Sequence, residues 1–221
     1  MTARRGKDDE KLQASVRSAL ACPDEAWYRR LLAQDASGCP LSADEIACVL
    51  AGAMAAAFDA ASRIVLASPR VSPAELARTL QLEIVPMDDD TASGPLPMLG
   101  LYRPAQRQIL LNEGALAAIE GLIANHGLET LTPGEDLKAC VLYHEIFHAL
   151  EEETPSIFTR SAMLERKLFG LIPRRRGLAS ASEIGAIHFS RLMAGTAYSP
   201  CIFGHYLLIL EGRADLNGLP S

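Results

Sequence analysis

The chain has 221 residues, 49% of them apolar and 22% charged, with 21 lysines and arginines against 27 aspartates and glutamates. That apolar share can offset the entropy of ordering a core, which excludes a disordered chain. The net charge of −6 leaves no global basic field for holding nucleic acid, so no direct nucleic-acid partner is expected.

Taken in chain order, Met1 to Lys11 is charged and lacks the apolar stretch of a secretory signal, and a cytoplasmic location is the expectation. Cys22, Cys39, Cys48, Cys140 and Cys201 are odd in number and form no C-x-x-C pair. Reduced thiols are therefore expected, not a disulfide framework or a thiolate zinc cluster. The first 70 residues read as all-helical. A polar lead-in, Asp8 to Ala21, precedes a helix that starts near Pro23 and carries Trp27, Tyr28, Leu31 and Leu32, before a Gly38-Cys39-Pro40 break. Ser42 and Glu45 have capping-box spacing and open an Ala-rich helix running to about Leu66. Within it, Ile46 to Phe58 is an unbroken apolar run of 13 residues. A bilayer span needs about 20, so the run reads as a buried or subunit-contact helix, the candidate for homo-oligomer formation, and no membrane partner is expected.

Ser72, Pro73 and Glu75 start a short helix, Pro73 to Gln81, which hands over to a strand at Leu82-Glu83-Ile84-Val85. A loop holding Asp88, Asp89, Asp90, Gly94, Pro95 and Pro97 follows, then a hairpin with arms Leu99–Tyr102 and Gln108–Leu111. Helices return at Ala115 to Ala124 and at Pro133 to about Glu152, the second marked by Thr132 and Glu135 in capping-box spacing. A basic loop at Arg174-Arg175-Arg176 precedes a helix from about Ser180 to Met193 and a last helix opened by Ser199-Pro200. Helices, a small sheet, then helices again make the fold class α+β.

The helix starting at Pro133 contains His144-Glu145-Ile146-Phe147-His148, an H-E-x-x-H motif. Residues four apart on a helix lie within about 40° of each other around its axis, so both imidazoles reach one metal ion. Glu145, beside the first ligand, is placed to take a proton from a zinc-bound water instead of binding the ion. With five histidines in the chain, about 0.008 chance matches to the motif are expected if positions are independent. The rival reading is a surface helix that happens to carry two histidines. A catalytic zinc has three protein ligands and one open position, so a third ligand is needed. Glu151, Glu152 and Glu153 follow too soon on the same helix, and Glu151 stands where the extended H-E-x-x-H-x-x-G-x-x-H pattern needs Gly. Glu183, 35 residues after His148 on a second helix, completes a His, His, Glu set, with His188 and His205 as the fallback. Its competing role is to pair with Ser180 in a capping box.

The stretch from Pro73 to Met193 resembles the ImmA/IrrE-type metallopeptidases, gluzincin-like proteins associated with cleaving DNA-binding repressors. The likeness is carried, in order, by Ala74-Glu75-Leu76-Ala77 through Leu82-Glu83-Ile84-Val85, by Gly100-Leu101-Tyr102 with Ile109-Leu110-Leu111-Asn112-Glu113, by the H-E-x-x-H helix, and by Glu-x-x-Ala-x-x-Phe from Glu183 to Phe189. Phe147 stands where the family often has a small residue, and Ile187 where Asn is common. The resemblance implies His144, His148 and Glu183 as zinc ligands, Glu145 as general base, and a protein or peptide substrate such as a transcriptional repressor.

The expected organisation is a helical extension over residues 1–70, a zincin-like domain with a small antiparallel or mixed sheet over 71–197, and a C-terminal helix and tail over 198–221 packed on it. The expected activity is zinc-dependent peptide hydrolysis. The alternative is a non-catalytic metal-binding regulatory or protein-interaction module, for which a closed four-ligand site would speak. Oxyanion stabilisation needs a donor, and His188, Tyr198, His205 and Tyr206 are the candidates. The strand near Leu99 to Tyr102 is a candidate for binding an extended substrate by strand addition.

Overall fold

The computed structural model describes residues 2–36, 38, 40–88, 98–168 and 172–212, with backbone alone for 2–8, 163–168 and 172–176. Cys39, the Asp89–Pro97 part of the expected loop and the tail from 213 onward lie outside the described residues. The fold is mixed α+β, mostly helical, with a small three-stranded mixed sheet.

Three helices come first: α1 (Thr2–Ala21), α2 (Asp24–Ala33) and α3 (Ala43–Ala67). The capping box that opens α3 is formed: the Ser42 hydroxyl accepts the Glu45 N–H at 3.3 Å and the Ser42 N–H donates to Glu45 Oε2 at 2.8 Å. By length and composition α3 is able to cross a membrane, but 39% of its most apolar window is buried inside the protein. Its inner face is largely alanine, Ala53, Ala57 and Ala60 among them, which lets a neighbouring helix approach closely. Phe58 and Leu66 are exposed on the outer side.

A second formed capping box, Ser72 with Glu75, opens α4 (Pro73–Thr79). The sheet follows: β1 (Glu83–Pro86), β2 (Gly100–Arg103) and β3 (Gln108–Leu111), in the order β1-β3-β2, with β1 parallel and β2 antiparallel to the central β3. β3 buries Ile109, Leu110 and Leu111, as the central strand of a covered sheet does. β2 is an edge. The Leu99 carbonyl accepts from the Asn112 N–H at 3.0 Å, so by alternation the main-chain groups of Gly100 and Tyr102 turn away from β3.

The remaining elements are α5 (Glu113–Asn125), capped by Asn112, α6 (Gly134–Glu153), the single turn α7 (Phe158–Ser161), β4 (Met163–Leu168), β5 (Ile172–Gly177), α8 (Ala179–Ala194) and α9 (Cys201–Leu210). Two expectations are corrected. Pro133, not Thr132, is the residue before α6, and no side chain caps it; the buried Thr132 hydroxyl is taken by the Tyr206 hydroxyl at 2.8 Å. The basic triplet is not a loop. Arg174, Arg175 and Arg176 lie in β5, in antiparallel register with Arg166, Glu165 and Leu164 of β4, a pairing hidden because β4 reads Met-Leu-Glu-Arg-Lys-Leu without period-two alternation.

The hydrophobic core is one cluster running from Leu12 to Leu207, so residues 1–70 share it with 71–197. α8 is central to this sharing. The Ser180 N–H in its first turn donates to Asp35 Oδ2 at 2.8 Å, and Arg191 near its end pairs with Asp24. At Gly185 a Cβ would stand 2.7 Å from Phe147 Cε1 and 2.8 Å from Thr159 Cγ2, so α8 lies this close to α6 because that position is glycine. The bulk of Phe147 is accommodated there, its ring 5.3 Å from that of Phe189.

Candidate metal centre

From Cys140 to Ala149, α6 is buried at every position except His144 and His148, which are half-buried. An apolar helix held on most sides by β2, α4, α5 and α8 thus opens at the face that carries the two histidines. His144 Nε2 lies 3.2 Å from His148 Nε2. Glu183 arrives from α8 with Oε2 at 3.3 Å from His144 Nε2 and Oε1 at 3.7 Å from His148 Nε2. Three donors held about 2.0–2.1 Å from a zinc ion and spread tetrahedrally stand about 3.3–3.4 Å apart; the separations between the two nitrogens and the two carboxylate oxygens, 3.2–3.7 Å, are of that order, and the three residues could hold one metal ion. No fourth His, Cys, Asp or Glu among the described residues joins the group, and the Glu183 side chain is 49% exposed. Its rival role as partner of Ser180 in a capping box is not formed, since α8 has no side-chain cap from its own flank.

Glu145 is buried, and its Oε2 accepts the Tyr102 main-chain N–H from β2 at 2.8 Å. A Cβ on Gly100 would stand 2.9 Å from Glu145 Cγ, so the strand and the carboxylate are in direct contact. On the other side, Glu151 Oε2 lies 3.0 Å from His148 Nδ1 and accepts from the Ser182 hydroxyl at 2.5 Å. Neither Glu151 nor Ser182 was singled out as part of the site by sequence reasoning. The available signal was helical spacing, because Glu151 is i+3 from His148 and i+7 from His144 and so shares their face.

The charges reinforce one another. Burial disfavours a charged His148, but the hydrogen bond to Glu151 and the negative charges of Glu183, Glu145 and Glu151 outweigh it and push the imidazole up to about 9. Burial likewise opposes ionisation of Glu183, yet the hydrogen bond to His144 and the positive charges of both histidines hold its carboxyl well below the usual range.

The hydrogen bonds and ring contacts of the four candidate oxyanion donors go to residues other than the three of this group. Tyr198 donates to Asp136 Oδ2 at 2.7 Å, eight residues and about 12 Å of helix rise from His144. Tyr206 pairs with Thr132. His205 is buried with its ring edge-on to Trp27. His188 lies five residues beyond Glu183, about 140° around the helix, and its Nδ1 is 3.3 Å from the Tyr28 hydroxyl. No disulfide joins the described thiols Cys22, Cys48, Cys140 and Cys201, and burial pushes those of Cys140 and Cys201 up to about 12, which makes them poor ligands and nucleophiles at neutral pH. Compared with family models, curated proteins and solved structures, the chain matches none of them, and the reading of this centre rests on its own residues.

Proposed function

We propose that the chain is a zinc-dependent metallopeptidase with a zincin-like domain over residues 71–197, acting on a protein or peptide substrate. The resemblance to ImmA/IrrE-type enzymes suggests a regulatory protein, such as a DNA-binding repressor, as that substrate. The observation that carries the reading is the convergence of His144 Nε2, His148 Nε2 and the Glu183 carboxylate from two helices, with no fourth His, Cys, Asp or Glu joining them among the described residues. A structural zinc site is closed by four protein ligands, and a three-ligand set leaves a position for chemistry.

His144, His148 and Glu183 would hold the ion, which when bound supplies Lewis acidity and brings the pKa of a water down to about 7. Glu145 is the proton carrier, accepting at a carboxylate oxygen and returning the proton to the leaving nitrogen. The Tyr102 N–H that holds Oε2 fixes where that transfer takes place. The Gly100 main-chain groups and the Tyr102 carbonyl face outward on the edge where Glu145 holds the Tyr102 N–H, and an extended substrate that pairs with these remaining groups brings its scissile bond alongside the carboxylate.

The test is metal analysis of the purified full chain together with a peptide-library cleavage screen, on wild type, Glu145→Gln and Glu183→Ala. Wild type should carry one zinc and cleave. E145Q should keep the zinc and lose about 100-fold to 10,000-fold in hydrolysis, and E183A should lose zinc. A wild type that takes up no zinc, or an E145Q that cleaves at the wild-type rate, overturns the proposal.

A further inference from the structure

We propose that Glu151 is a positioning residue of this centre: its carboxylate fixes the His148 imidazole so that Nε2 is the atom offered to the ion, and Ser182 carries the constraint to the helix that holds Glu183. The proposal rests on the zinc reading above and concerns two residues outside the H-E-x-x-H pattern.

Glu151, Glu152 and Glu153 are consecutive, yet Glu152 and Glu153 are exposed and the Glu151 side chain is 4% exposed. A buried carboxylate is costly unless donors meet it. Oε2 is met by two donors of the metal centre, His148 Nδ1 at 3.0 Å and the Ser182 hydroxyl at 2.5 Å, and Thr159 beside the carboxylate also favours its ionised form. An ionised carboxylate only accepts, so the nitrogen facing it must carry the hydrogen. With Nδ1 protonated, the lone pair is on Nε2, which points at His144 Nε2, 3.2 Å away. A carboxylate on the far nitrogen also makes a ligating imidazole a stronger donor and holds the ring in plane.

On this side His148 borders an open cavity of about 430 Å3 that Glu151, Ser182 and Arg160 also line, so the ring is not enclosed by packing there and the hydrogen bond adds a directional constraint. Ser182 extends the effect. It directly precedes Glu183 on α8, and its hydroxyl lies 3.2 Å from His148 Nδ1 as well as bonding to Glu151. One hydroxyl therefore ties the helix of the two histidines to the helix of the third ligand, setting the distance between the Glu183 carboxylate and the two Nε2 atoms.

The test measures zinc affinity by chelator competition on the full chain, for wild type, Glu151→Gln, Glu151→Ala and Ser182→Ala, with urea unfolding of each metal-free form. The second readout is the His148 Nδ1–H proton resonance of the zinc-loaded protein. Expected are losses of about 10-fold for E151Q and about 100-fold for E151A, a smaller loss for S182A, and movement or exchange broadening of the Nδ1–H resonance in both Glu151 variants. E151Q preserves shape and decides the matter if E151A does not fold. Zinc affinity within twofold of wild type in E151Q, with the resonance unmoved, overturns this proposal alone. A wild-type chain that binds no zinc overturns the metallopeptidase reading and this proposal with it.

Discussion

The main-chain N–H of Tyr102 donates to Glu145 Oε2 at 2.8 Å, so the glutamate of the H-E-x-x-H motif, the proposed general base, is pinned by the edge strand of the sheet. A side chain on α6 and a backbone group on β2 share one bond, and the gap between helix and strand sets where the carboxylate sits. That gap is small. A Cβ at Gly100 would lie 2.8 Å from Val141 Cγ1, 2.9 Å from Glu145 Cγ and 3.0 Å from Glu145 Oε1.

Gly100→Ala should therefore push β2 away from α6. Overpacking of this kind costs about 1–3 kcal/mol, read as a lower urea midpoint. The three atoms nearest such a Cβ belong to Val141 and Glu145, not to the proposed zinc ligands, so zinc content should be kept while hydrolysis falls as the Tyr102–Glu145 bond lengthens. A G100A protein with wild-type stability and wild-type cleavage would show that the contact does not govern the base.

The raised pKa of His148 links stability and metal binding to pH in opposite senses. In the metal-free fold His148 keeps its second proton up to about 9, against an ordinary 6.5. Between those values the folded chain binds more protons than the unfolded one. The stabilisation is thus complete below pH 6.5 and is lost as pH rises through about 9. Zinc uptake expels the same proton, so affinity rises across this window. The metal-free urea midpoint should fall from pH 6.5 to 9, zinc affinity should climb by up to about tenfold per pH unit, and calorimetry at pH 7 in buffers of different ionisation enthalpy should register proton release. Flat profiles in both quantities would sink the assignment.

The opposite sign holds for His188 and His205. Burial pulls the pKa of both down, and His205 Nε2 is buried with no hydrogen-bond partner among the described residues. Their contribution is complete above pH 6.5 and is lost as pH falls below it toward their lower folded values, because the unfolded chain takes up protons first. The metal-free protein should lose stability on acidification from pH 6.5, and His205→Leu should make that acid limb shallower. An H205L variant whose acid limb is as steep as wild type would remove His205 from the account.

Where the signal is local, the residues disclose the structure. Ser42 with Glu45 and Ser72 with Glu75 are capping boxes four residues long, and both form; His144 and His148 need only one helical turn to meet. Thr132 with Glu135 has the same spacing, but Tyr206, 74 residues away, claims the Thr132 hydroxyl. Glu151 sits on the face of the two histidines by simple periodicity, yet its role depends on Ser182, which the chain brings back 31 residues later. The strand containing Arg174 to Arg176 exists through its pairing with β4, and register between strands is not written in either strand alone.

The role of the N-terminal helices is the least legible part, and Asp35 gives it a test. The N-cap residue of α8, Leu178, has no side chain able to cap, and the helix instead receives Asp35 Oδ2 on the Ser180 N–H at 2.8 Å, across 145 residues. A carboxylate at a helix N-terminus satisfies an orphan donor and complements the helix dipole. Loss of such a cap costs about 0.5–2 kcal/mol, which is the destabilisation expected for metal-free Asp35→Ala, with Asp35→Asn losing less because the amide oxygen still accepts. Ser182 and Glu183 lie two and three residues further along α8, less than one turn away, so fraying of its first turn should also weaken zinc. A bound ion holds Glu183 in place and opposes that fraying, so the gap in stability between wild type and D35A should depend on zinc. A D35A protein matching wild type in both the metal-free urea midpoint and zinc affinity would mean that the N-terminal third does not support the ligand helix through this bond.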